Sequence, residues 1–253
     1  MILRRLTHNL RTQNWTAITI EFLIVIIGVF IGTQVANWNQ ARGERAATER
    51  MLVQFVPELR AQIEFFDSAK VYYATARRFA DEALAGWRGD PRISDERFVI
   101  AAYQASQIYG FGVNPENWTL TFGGEQLRNI EDPKVRRTLE LVLTQDYGPV
   151  QFDAVATPYR EQVRRVIPIR IQDLIRRECG DRQIRNTFLT ELPATCSLRL
   201  APAEAKATAA ALRARRDLPG ELYWHLAAVA VYQDNAVVLE QPIRALHRDL
   251  SKP

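Results

Sequence analysis

Cysteine, histidine and lysine are scarce in this chain of 253 residues, and each scarcity excludes something. Two cysteines, Cys179 and Cys196, are too few for a disulfide-dense scaffold. Three histidines, His8, His225 and His247, make no H-x-x-x-H pair and no Cys/His cluster, so no zinc site is written into the sequence. Glu221 and His225 stand four apart and offer at most half a site, read here as a surface hydrogen bond. Lysine occurs only at Lys70, Lys134, Lys206 and Lys252, a bias read as codon usage in a GC-rich genome. Nucleophile motifs are missing as well. Ser68, Ser94, Ser106, Ser197 and Ser251 lie in no G-x-S-x-G or S-x-x-K context, and Gly110-Phe111-Gly112 lacks the strand and third glycine of a nucleotide loop. Carboxylates such as Asp81-Glu82 are sequence neighbours and point apart on a helix. The expectation is a non-enzymatic chain with no cofactor and no metal.

The positive charge is local. There are 33 Lys+Arg against 29 Asp+Glu, and the first 36 residues hold Arg4, Arg5 and Arg11 against Glu21 alone. The remaining 217 residues carry 30 basic and 28 acidic groups, which is near balance. A nucleic-acid binder concentrates basic residues on a face or stripe, so nucleic acid is not the expected partner.

What the chain does have is one long apolar run. From Trp15 to Trp38 it reads WTAITIEFLIVIIGVFIGTQVANW, with no polar side chain from Phe22 to Ile31. As a helix, the 23 steps between the tryptophans cover ~35 Å, enough for a bilayer core and part of its interfaces. Trp15 and Trp38 occupy the two membrane interfaces, where aromatic belts form. The run is long for a signal peptide, and Gln34 and Asn39 occupy positions where cleavage wants small residues, so the span reads as an uncleaved anchor. Basic residues flank it almost evenly. The short N-terminal tail and the two distal cysteines favour a cytoplasmic N-terminus and a periplasmic remainder. No second apolar run of ~20 residues follows, so a single pass is expected. Glu21, one turn inside the span, suits a proton relay, a basic partner helix, or simply snorkelling to water. Gly28 and Gly32 form a G-x-x-x-G step that lets two helices approach closely.

The stretch GVFIGTQVANWNQAR, Gly28 to Arg42, resembles a family of uncharacterised bacterial inner-membrane proteins with one N-terminal transmembrane helix and a helical periplasmic domain. The features that carry the resemblance are the Glu21-Phe22 pair opening the span, the glycines at its end and the Asn37-Trp38-Asn39 exit. Weaker echoes are LRNIEDPKVRRTLELV (127–142) and YREQVRRVIP (159–168). The resemblance implies topology, and that family carries no assigned activity.

Beyond the span the pattern stays helical and the fold class is all-α: a transmembrane helix continuing into a helical bundle with one disulfide. Leu52, Leu59, Phe66, Tyr73, Ala80 and Trp87 recur every seven residues, a line suited to packing against another helix. Pro57 should kink or restart that helix, and Gly86 with Gly89-Asp90-Pro91 should end it. Ser94 caps a helix expected to reach about Tyr109, and Asp132-Pro133 opens another to about Tyr147. Residues 151–178 read as one helix kinked at Pro158 and Pro168, 202–216 as an Ala-rich helix, and the last helix starts near Pro219 with Leu239, Ile243, Leu246 and Leu250 in register. Residues 110–126 are the longest irregular stretch. The organisation expected is a cytoplasmic tail 1–14, a transmembrane helix 15–38 and one periplasmic domain 39–253.

In an oxidising compartment Cys179 and Cys196 should form a disulfide, closing a 17-residue step. Tyr72, Tyr73, Tyr103, Tyr109, Phe111 and Trp118 form core packing or line a small-molecule pocket. Functionally the chain reads as a membrane-anchored interaction or scaffold protein. Its partners are the lipid bilayer and a second copy or another membrane protein, with Gly28, Gly32, Leu52, Leu59, Phe66 and Tyr73 carrying the association. A ligand-sensing domain that signals through a partner is the first alternative, and an anchored enzyme with a site formed only in three dimensions is the second.

Overall fold

A computed structural model of the chain describes residues 15–109, 116–187 and 189–252. The expected tail 1–14 and part of the irregular stretch lie outside them. The protein is all-α, with one two-residue hairpin among its described residues. Its first helix, α1, runs unbroken from Trp15 to Trp87, 73 residues and so ~110 Å long. Pro57 neither ends nor restarts it. A proline deprives the carbonyl four residues back of its donor, but Pro57 and Val53 both lie on the exposed side, where water serves that carbonyl.

The two halves of α1 have different surroundings. The apolar run is exposed from Phe22 to Trp38, and by length and composition the helix could cross a membrane. From Thr48 onward one face is buried against the rest of the chain. Its neighbours include α2 (Asp95–Gln104) and the last helix, α9 (Leu218–Leu250). Contacts Asp67–Arg244 at 2.5 Å, Lys70–Glu240 at 2.5 Å and Tyr73–Tyr232 at 5.3 Å between ring centres rise along one helix and fall along the other. The pair is antiparallel. Gly86 makes the α1–α2 approach possible, because a Cβ there would stand 2.2 Å from the ring of Phe98.

Ser94 caps α2 as its sequence predicts, its hydroxyl accepting from the Arg97 N–H. That helix stops at Gln104, and residues 105–109 continue as buried irregular chain. Two short helices, α3 (Glu116–Thr121) and α4 (Gly124–Arg128), occupy part of the expected irregular stretch. Asp132 caps α5 (Pro133–Thr144). The expected kinked helix is instead two 3₁₀ turns (Gly148–Val150 and Phe152–Val155), α6 (Pro158–Val166) and α7 (Ile169–Cys179). The reason is that a proline pushes the preceding residue out of the helical region, and Thr157 and Ile167 are both extended. Gln172 repairs the break at Pro168: its amide donates to the carbonyls of Arg164 (2.6 Å) and Ile167 (2.7 Å). β1 (Arg182–Gln183) and β2 (Thr190–Glu191) follow as an antiparallel pair, then α8 (Pro202–Ala214).

The chain between β2 and α8 is fastened by one carboxylate. Glu96 accepts from the backbone N–H groups of Leu198 (2.9 Å), Arg199 (3.3 Å) and Leu200 (2.7 Å). Arg199 takes a φ of 53°, which turns successive N–H groups inward. Partial burial pushes the Glu96 carboxyl up, but those donors outweigh it and hold the pKa below its ordinary value. Glu96→Gln is therefore expected to cost about 2 kcal/mol, since charge-assisted bonds are lost and N–H groups are left without an acceptor. Urea unfolding checks this, and an unchanged midpoint would refute the anchoring role.

Candidate functional site

The heptad line has been used inside the fold. Leu52, Leu59, Phe66 and Tyr73 are all buried by the chain's own helices. The association expected of them is corrected accordingly: they pack against another helix, but that helix belongs to the same chain. A period of seven fixes that a face is covered, not by whom. Gly28 and Gly32 are different, because nothing in the chain lies within 4 Å of where their Cβ atoms would be. Trp15 and Trp38 are exposed at the two ends of the apolar run, with the Arg42 guanidinium 5.5 Å from the Trp38 ring centre.

The aromatics are core. Tyr72, Tyr73 and Tyr109 pack edge-on or tilted with centroid spacings of 5.1 to 5.8 Å, and Trp118 meets Phe55 at 5.3 Å. Phe111 lies outside the described residues. Tyr159 and His225 stack at 5.8 Å. His225 is buried, which corrects its reading as a surface partner of Glu221: its Nδ1 lies 2.8 Å from the Thr157 hydroxyl. Burial, and then the charge of Arg160, drives its pKa down to about 4. It is neutral at pH 7. Among the described residues no three His, Cys, Asp or Glu side chains converge as metal ligands.

Two features could meet another molecule. The first is the outer face of α9. Its inner stripe, including Leu222, Val229, Leu239, Ile243 and Leu246, fills the core. On the opposite side Tyr223, Trp224, Ala227, Ala230, Val231, Val237 and Val238 are exposed, Trp224 at 62%. The spacing Trp224–Ala227–Val231–Val238 is that of a second helix-facing seam, and Asp234 is the one acid within it. A helix apolar on both its core side and its outer side is normally covered on both, and this outer face is exposed. The signal was present in the sequence, as apolar residues lying off the core stripe.

The second feature is a cleft of about 680 Å³ between α1 residues 67–78 and the segment 182–195. The Cys179–Cys196 disulfide, Cα atoms 5.5 Å apart, closes that segment into a loop. Ser68 bonds the Thr190 carbonyl at 3.3 Å and Tyr72 donates to Asp181 at 2.8 Å, so both edges of the segment are tied to α1. Behind it runs a polar network. Gln104 donates to the Cys179 carbonyl at 2.6 Å, and Gln107 accepts from Arg160 (3.3 Å) and Arg164 (2.9 Å). Burial raises the Asp181 carboxyl above its ordinary range, the nearby arginines and the Tyr72 bond opposing it. No sequence pattern announces this cleft, since its walls lie more than a hundred residues apart.

Comparison of the chain with protein-family models, with curated proteins and with solved structures finds no match.

Proposed function

We propose that this chain is a membrane-anchored, non-enzymatic interaction protein that pairs with a second copy of itself along the outer face of α9. In this reading α1 crosses the inner membrane of a Gram-negative-type bacterium once, with residues 1–14 in the cytoplasm and residues 39–253 in the periplasm. The disulfide suits that oxidising compartment. One observation carries the reading: an apolar seam on the side of α9 that faces away from the core.

A second copy fits for three reasons. The seam leaves Tyr223, Trp224, Val231, Val237 and Val238 exposed together, a contiguous apolar face of the kind that marks an interaction site. Two copies anchored the same way hold their α9 seams at one height and in parallel, so pairing needs no search for register. Anchoring also confines encounters to the membrane plane, which raises effective concentration. The vacant sides of Gly28 and Gly32 can add contact within the bilayer.

Native mass spectrometry of the full-length protein released from nanodiscs should show a dimer. Val231→Asp should reduce it to monomer, because an unpaired charge would be buried in the seam. Asp234→Asn should tighten it, by removing two like charges that face each other across the axis. A monomeric wild type, or a dimer indifferent to Val231→Asp, would overturn the proposal. The cleft favours a second reading, periplasmic ligand sensing, in which occupancy is relayed through a partner.

A further inference from the structure

The cleft between α1 and the disulfide-closed loop has the size and contents of a small-molecule site. Its volume, about 680 Å³, falls within the range of ligand pockets. Three kinds of surface meet there. Val71, 68% exposed, faces Ile184, Leu192 and Pro193 across an apolar channel. Ser68, Thr75, Thr190 and Thr195 bring hydroxyl-bearing side chains to the lining. Tyr109, only 3% exposed, lies behind Ser68 and the Thr190 backbone and is not part of the lining.

The rim supplies the charge. Arg78 bonds only the Thr75 hydroxyl, at 3.1 Å, and Arg182 only the Glu178 carbonyl, at 3.2 Å. Among the described residues neither guanidinium has an ion pair. Of the two lining acids, Asp67 is bound to Lys70 and Arg244, which leaves Glu191, across the hairpin from Arg182, to set against two free cations. The rim is net positive. An occupant must therefore combine an anionic head, an apolar body and a group able to hydrogen-bond within that body.

We propose that this cleft binds a small amphipathic carboxylate carrying an amide or hydroxyl, such as an N-acylated amino acid. The carboxylate sits between Arg78 and Arg182, where guanidinium donors match its geometry. Its apolar side chain lies along Val71 and Leu192, and its amide meets the hydroxyl-bearing side chains of Ser68 and Thr195. None of these residues belongs to the α9 seam, so the site stands whether or not the chain dimerises.

The test is calorimetric titration of the full-length protein in nanodiscs with N-acetyl-phenylalaninate, with the uncharged N-acetyl-phenylalanine amide as comparison. Saturable 1:1 binding per chain is expected, weakened at least tenfold in the amide and in the Arg78→Ala/Arg182→Ala double variant. Val231→Asp, in the α9 seam, should leave it unchanged. Both arginines are on the surface, so their loss leaves the fold intact, as an unaltered unfolding midpoint would verify. No saturable binding, equal binding of acid and amide, or binding indifferent to the arginine pair would each overturn the assignment.

Discussion

Acidifying the protein from pH 7 to pH 4 is expected to remove about 3 kcal/mol of stability through His225 alone. An exposed histidine titrates near 6.5, whereas burial lowers this one to about 4. Between those two values the unfolded chain holds a proton that the folded chain does not, so protons favour unfolding. The contribution of the neutral ring is complete above pH 6.5 and is lost as pH falls towards 4, at ~1.4 kcal/mol per unit of separation. Asp181 acts in the opposite sense, because a raised carboxyl gains its proton in the folded state first. Its effect lies above the ordinary carboxylate range and so opposes the histidine slope. Urea denaturation at half-unit steps should show the slope in wild type. In His225→Gln, which can still bond the Thr157 hydroxyl, the pH dependence between 4 and 6.5 should flatten. An identical slope in the variant would mean that another group drives the acid response.

Removing the disulfide should cost a similar amount. Replacing Cys179 and Cys196 together by alanine frees a 17-residue step that the native bond closes, worth ~3 kcal/mol by the chain-entropy estimate. The loss should be uneven. Cys179 is buried at the end of α7 and its carbonyl still accepts from Gln104, so that helix end stays in place. Segment 182–195 loses its second tether and keeps mainly the Ser68 and Tyr72 bonds to α1. Hydrogen exchange should therefore rise first in 182–195, while α1 and α9 keep their protection until global unfolding. A variant with full stability would show that the loop is held without the bond. A uniform rise across the domain would show that the disulfide supports the core rather than the cleft wall.

The local elements were readable because their causes are local. The apolar stretch from Phe22 to Ile31 and the caps at Ser94 and Asp132 each depend on a few consecutive residues. Where the reading missed, a local rule had two outcomes. Pro57 was expected to break α1, but on the solvent side the lost bond is replaced by water. Pro158 and Pro168 were expected to bend one helix, and instead each starts a new one.

What the sequence determined by itself is the all-α class, the anchor-length apolar run and the two cysteines placed to bond. Those follow from hydrophobic period, length and spacing along the chain. Tertiary structure alone decided which helix faces are covered. The Leu52–Tyr73 line was absorbed by the chain's own core, the α9 seam was left open, His225 was sealed beside Thr157, and a cleft appeared where residue 72 meets residue 181. Periodicity specifies that a face is apolar, but burial is a relation between two faces. The second face comes from a part of the chain that local pattern cannot identify.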